Sequence, residues 1–203
     1  MRKIGLVPIS GKPYHRGHHA LIELAGNQND EVVVYVSISD RTRRGEYPIL
    51  GEAMHKVWLE EIEPIMPANV QVQYGGSPVR KIYETIIAAC EENSNNIFTV
   101  YSDPADTAAN YSASNRHKYM APLYNEGNII FAAEENPDSV TRGLGTPNIQ
   151  GSDLRSALAL KDFQLFAALL PEGVNAQNIY EILTAENSTE DALLKDFVAI
   201  VIG

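Results

Sequence analysis

The chain has 203 residues, 44% of them hydrophobic and 21% charged, with a formal net charge of −10. That length supports one sizeable core and a small appendage. The acid excess excludes a general binder of nucleic acid, which needs a basic surface. No apolar run approaches the ~20 residues needed to span a bilayer, so no membrane partner is expected. Lys3 passes straight into a strand-like run, with no basic-then-apolar leader ahead of it. A lone cysteine, Cys90, allows no internal disulfide and suits a reducing, cytoplasmic compartment.

Taken in chain order, strand-like runs fall at Lys3–Ile9, Glu31–Ser37, Asn69–Tyr74, Ile97–Tyr101 and Asn128–Ala132. Helical patterns alternate with them at Gly17–Asn27, Gly51–Ile62, Val79–Glu91 and about Ala108–Leu123. Such alternation predicts an α/β fold with a parallel sheet and right-handed crossovers. From residue 151 the pattern is helical: Asp153–Leu160, Phe163–Leu170, Ala176–Glu186 and Thr189–Val201, with a turn at Asn187-Ser188. The division is therefore a 1–150 core and a 151–203 helical segment packed on it. The apolar run Phe197–Ile202 predicts packing on the sheet or on another subunit, so a homo-oligomer stays open. Trp58, on a helical pattern that also carries Met54, Val57 and Leu59, reads as core, and Cys90 as a small buried hydrophobe.

The densest chemistry lies in Pro13-Tyr14-His15-Arg16-Gly17-His18. An apolar run ending at Ile9 precedes it and a helical pattern follows. A loop that leaves a strand and enters a helix offers free backbone N–H groups and a positive helix end to phosphates. Gly17 lets backbone or ligand pass closely. His15 and His18 can then grip one polyphosphate; the plainer alternative is a pair of loop histidines with structural hydrogen bonds only. Metal ligation needs a third ligand, and no cluster in the sequence supplies one. His19 reads as helix surface, and His55 and His117 take no role. Lys12 can reach a phosphate as a point charge, or lie solvated. Arg41, Arg43 and Arg44 follow a strand end, a local reversal of sign that either attracts an anionic acceptor or is a solvated patch. Asp103 follows the Ile97–Tyr101 run and either contacts ribose or metal or is simply part of the Asp103-Pro104 turn.

His15-Arg16-Gly17-His18, with Pro13 two residues ahead, resembles the H-x-G-H signature of the nucleotidylyltransferase superfamily, the cytidylyltransferase-like fold. Gly151-Ser152-Asp153-Leu154-Arg155 resembles the late S/T-x-x-R signature of the same superfamily. Ser152 is read as the N-cap of the following helix, with Arg155 in its first turn. Tyr47-Pro48-Ile49-Leu50-Gly51-Glu52 resembles the N-P-F-T-x-x-E-R segment of the NMN adenylyltransferase branch, with Ala53 in place of the usual Arg. Ile9-Ser10-Gly11-Lys12 departs from the family's usual Gly-Thr/Arg-Phe-Asp/Gln run.

The resemblance spans roughly residues 3 to 171. It implies a Rossmann-like sheet of order 3-2-1-4-5 and an enzyme that transfers a nucleotidyl group from ATP, or CTP, to a small phosphorylated acceptor with release of pyrophosphate. It places His15, His18, Lys12 and Arg155 as catalytic, with Ile9, Ser10, Gly17, Gly151 and Ser152 at the nucleotide. Arg41, Arg43, Arg44 and Asp103 fall to the acceptor. Mg²⁺ would ride on the triphosphate. NMN is the favoured acceptor, and in NMN-using relatives an aromatic stacks the nicotinamide ring, for which Tyr111 is one candidate. The alternatives are phosphopantetheine, glycerol phosphate, or a nucleotide-binding regulator without activity.

Overall fold

The computed structural model describes residues 1–185; the expected turn at Asn187-Ser188 and the helix expected over Thr189–Val201 lie outside them. Five strands form one sheet: β1 (Lys3–Ile9), β2 (Glu31–Val36), β3 (Val70–Tyr74), β4 (Ile97–Val100) and β5 (Ile129–Phe131). Their order is β3-β2-β1-β4-β5 and all four pairings are parallel. This is the α/β, Rossmann-like architecture and strand order expected from the resemblance. Leu6 pairs with Val33 on one side and Val100 on the other, so β1 is the centre of the sheet.

The central strands read as unbroken apolar runs because both of their faces are covered. Side chains alternate across a strand. Val7, Ile9, Val34 and Val36 therefore enter one buried cluster, while Leu6, Val33, Tyr35 and Val100 enter the other. Helix α1 (Arg16–Gln28) and the C-terminal helices α8 (Gly151–Ala159) and α9 (Phe163–Ala168) pack in the first, and Trp58 is buried there, as expected. Ile179 and Leu183, from a helix over residues 176–185, join the same cluster. Helix α3 (Pro78–Glu91) covers the other face through Ile82 and Ile86. Cys90 is only half-buried, its Sγ on the Met120 carbonyl at 3.4 Å.

Two expected helices differ. The pattern over Gly51–Ile62 is α-helical only as α2 (Gly51–Val57); Trp58–Ile62 winds as a π-helix and Glu63–Ile65 as a 3-10 turn. Pro64 has no N–H and its ring crowds the carbonyl four residues back, so regular bonding cannot run through it. The pattern over Ala108–Leu123 is two helices, α4 (Pro104–Asn110) and α5 (Ala113–Tyr119). Each has its own cap: the Asp103 carboxylate accepts from Asp106 N–H, and the Ser112 hydroxyl from Asn115 N–H. Two short helices, α6 (Ala132–Glu135) and α7 (Pro137–Val140), follow β5 where no helix was expected.

The order of the sheet reverses between β1 and β4. A crevice therefore opens beyond their C-terminal ends, where the loops after both strands diverge.

Candidate active site

His15 is the N-cap of α1, with an extended backbone at φ −150°. Its Nδ1 accepts the Gly17 N–H at 3.0 Å, and His18 Nδ1 accepts the His15 N–H at 3.2 Å. The two side chains thus satisfy each other's end of the helix, as a Ser and a Glu do in the usual capping box. The rings stack with centroids 3.8 Å apart. Gly17 makes this possible: a Cβ there would stand 2.8 Å from His15 Cε1, inside van der Waals contact.

This capping settles the tautomers. An Nδ1 that accepts a backbone N–H carries no proton, so in the neutral ring the proton sits on Nε2. Burial holds both rings neutral. It pushes His15 down to about 4, helped by the charge of Arg142 and opposed by Asp153. His18 is likewise held well below its ordinary value, by burial first and then by the charges of His15, Arg142 and Lys12. Both histidines border the crevice, so each can present an Nε2–H donor to it.

The crevice has two compartments. One, of about 380 Å³, runs from His15 and His18 past Pro8 and Ile9 to Asp103, Asp106 and Tyr111. Its size falls in the usual range for small-molecule sites. Its far wall is acidic: burial raises the Asp106 carboxyl, and neighbouring Asp103 raises it further. The other compartment, of about 330 Å³, is bordered by Lys12, Arg41, Arg142, Arg155 and the start of α8. Ser10, His18 and Arg142 border both, so they mark the junction. One compartment is mixed apolar and acidic, the other cationic.

Several expected residues sit differently from expectation. The N-cap of α8 is Gln150, not Ser152, and the Asp153 carboxylate accepts the Gln150 N–H at 2.8 Å. The helix begins at Gly151, which places Ser152 exposed inside the first turn and Arg155 beyond it. Gly151 is tight against the loop; a Cβ there would lie 3.2 Å from the Lys12 carbonyl oxygen and 3.0 Å from Arg155 Nη1. Arg155 is buried and points inward, donating from Nη1 to the Lys12 carbonyl at 2.7 Å. Its Nε faces the Glu46 carboxylate at 3.4 Å without the alignment of a hydrogen bond. Lys12 is buried too, its ammonium donating to the Ser10 carbonyl at 2.9 Å and to the Ser37 carbonyl. Burial lowers it to about 8 against the opposing charge of Asp40, so most of it stays charged at neutral pH. Ser10 is exposed at the junction, while the Ile9 side chain belongs to the core.

The basic loop divides. Arg41 reaches the cationic compartment but is held by Glu46 in a bidentate pair, Nε–Oε2 2.7 Å and Nη2–Oε1 2.9 Å. Arg43 and Arg44 are exposed and border neither compartment. Asp103 borders the first compartment while it caps α4. Tyr111 is buried on the wall of the same compartment. His19 is half-buried rather than on the helix surface, with Nδ1 3.0 Å from the Tyr14 hydroxyl. Arg142 and Asp106 were not anticipated. The only signal for Arg142 was a basic residue just before the Gly143-Leu144-Gly145-Thr146 turn.

No protein-family model and no curated protein matches the chain. Among solved structures it overlaps a bifunctional NMN adenylyltransferase/ADP ribose pyrophosphatase from Francisella tularensis, at 12% identity and a TM-score of 0.49, over 98% of this chain and 57% of that one. It also overlaps Thermotoga maritima TmcAL bound with alpha-thio ATP, at 14% identity and a TM-score of 0.45, over 93% of this chain and 56% of that one. The chain spans little more than half the length of either protein. The likeness is one of fold. Among the described residues no helix is long and apolar enough to cross a membrane.

Proposed function

We propose that the protein is a nucleotidyltransferase of the H-x-G-H type, transferring a nucleotidyl group from ATP to a phosphomonoester. The observation that carries this reading is the stacked pair of neutral imidazoles, His15 on the nucleoside-sized compartment and His18 at its junction with the cationic one, each with its Nδ1 occupied by a backbone N–H. In this reading the departing pyrophosphate lies in the cationic compartment, near Arg142 and the N–H groups that open α8. An acceptor phosphate oxygen attacks the α-phosphorus. The new P–O bond forms as the bond to the α–β bridging oxygen breaks, and that electron pair leaves with pyrophosphate. No proton acceptor and no covalent enzyme intermediate are needed, so positioning and charge neutralisation carry the rate. His18 and His15 donate to the oxygens on which charge grows. Lys12 and Arg155 act mainly by holding the loop that presents them.

Among the described residues no group of three or more His, Cys, Asp or Glu side chains could hold a metal. In this reading a Mg²⁺ would ride on the triphosphate, supplying charge neutralisation there. NMN is the acceptor we favour, from the Tyr47–Glu52 likeness. The inward commitment of Lys12 and Arg155 favours, as the second reading, a regulator that binds nucleotide without turnover. A pyrophosphate-release screen of ATP and CTP against NMN, nicotinate mononucleotide, phosphopantetheine and glycerol 3-phosphate separates them. Release with one pair supports the transferase; nucleotide binding without release from any pair supports the regulator.

A further inference from the structure

The cations around the crevice are unequal. Lys12 is spent on two carbonyls, Arg155 on the Lys12 carbonyl, and Arg41 on Glu46. Arg142 differs: it is exposed, borders both compartments, and makes no side-chain hydrogen bond or ion pair among the described residues. Its backbone, by contrast, is pinned. Residues 141–146 form a tight turn in which Gly143 N–H donates to the Thr146 carbonyl at 2.8 Å, and Leu144 and Thr146 N–H donate to the Thr141 carbonyl at 3.1 and 3.3 Å. The Thr141 hydroxyl is anchored on the Pro137 carbonyl at 2.7 Å. Gly145 N–H ties the far side to the Asp138 carbonyl at 2.8 Å. The base of this side chain is therefore fixed at the junction while the guanidinium remains uncommitted.

We propose that Arg142 is the polyphosphate-binding arginine of this site, bridging the phosphate that stays with the nucleoside and the phosphates that leave. The chemistry suits a guanidinium, whose planar fork can contact oxygens of two phosphates at once, where an ammonium is a point charge. The place suits it as well, since a group that borders both compartments is the one that can span the bond broken in between. The ligand class is a linear polyphosphate ester. This rests on the function proposed above, but its anion-binding part can be tested without it.

The probe is inorganic tripolyphosphate, which has no base or sugar, titrated calorimetrically into wild type, Arg142→Ala and Arg142→Lys. Because Arg142 is exposed and unpaired, all three should melt within a degree or two of each other. We expect Arg142→Ala to bind at least tenfold more weakly and Arg142→Lys to lie between. With ATP and the acceptor found in the screen, Arg142→Ala should lower kcat as well as raise KM, because the bridged charge grows in the transition state. Equal tripolyphosphate affinity in wild type and Arg142→Ala overturns the assignment, as does wild type that binds no tripolyphosphate. Arg142-dependent tripolyphosphate binding by a protein that releases no pyrophosphate upholds the anion site and removes the transferase reading alone.

Discussion

Two helix N-termini face the crevice, and they are built in opposite senses. At α1 the caps are histidines, and backbone N–H groups occupy their Nδ1 atoms. The capping itself turns the Nε2–H edges into free donors. At α8 the caps are Gln150 and Asp153, and Arg155 is folded inward onto the Lys12 carbonyl. Both ends carry a recognisable motif. One presents its polar atoms to a ligand, and the other uses them to fasten the loop that does the presenting. A motif thus marks a place near the chemistry, and only the hydrogen-bond partners say which side of the work a residue does.

The largest effect expected from this contrast is at His18. His18→Ala should lower kcat and kcat/KM together by ~10²-fold or more, the scale for removing one preorganised donor to developing charge. Steady-state rates of a folded variant check it; near-native turnover would strip α1 of its role.

Stability should next depend on pH through the same histidines. Both rings are depressed below their unfolded value, so between about 6.5 and about 4 the unfolded chain binds more protons than the folded one. Stability is then full above pH 6.5 and falls as the pH drops towards 4. For His15 alone, at 1.36 kcal/mol per pH unit, the loss is at most about 3 kcal/mol. Urea midpoints at pH 7, 5.5 and 4.5 should fall more steeply for wild type than for His15→Gln, whose amide oxygen can keep the cap without titrating. Parallel curves would place the titration elsewhere.

Arg155→Ala should do more to stability than to nucleotide affinity, the reverse of what a phosphate-holding arginine predicts. Losing a buried charged hydrogen bond costs about 2 kcal/mol, or roughly 4–8 °C in Tm for a chain of this size. Calorimetric melting beside triphosphate titration separates the two. A large loss of affinity with an unchanged Tm would put Arg155 back at the ligand.

The order of the sheet was legible because β1 and β2 are apolar on both faces, and hydrophobic runs separated by helical periods leave few topologies. The α1 site was legible because its residues are contiguous: strand, loop and helix are local, and local geometry follows from local sequence. What was not legible depends on distance. Ser152 is a good cap in isolation, yet Gly151 can approach the Lys12 loop closely and the helix starts there, with Gln150 as cap. Arg41, Arg43 and Arg44 look alike in sequence, but Glu46 captures only the first. The site of Arg142 is made by a turn whose partners, Pro137 and Asp138, belong to a helix that was not expected.

The smallest effect belongs to that basic loop. An Arg43→Ser/Arg44→Ser double variant should leave the acceptor KM within about twofold of wild type at 0.1 M salt, where exposed charges outside both compartments are screened over about 10 Å. A severalfold rise would restore the loop to the acceptor site.

Capping of α1 pre-sets two neutral imidazoles with Nε2–H facing the crevice. Long-range ¹H–¹⁵N correlation spectra of the ligand-free protein at pH 7, with ¹⁵N-labelled histidine and assignment through His15→Gln and His18→Gln, read tautomer and charge directly. Both rings should show the Nε2–H tautomer, persisting down to about pH 5. An Nδ1–H tautomer or an imidazolium at either position at pH 7 would contradict this.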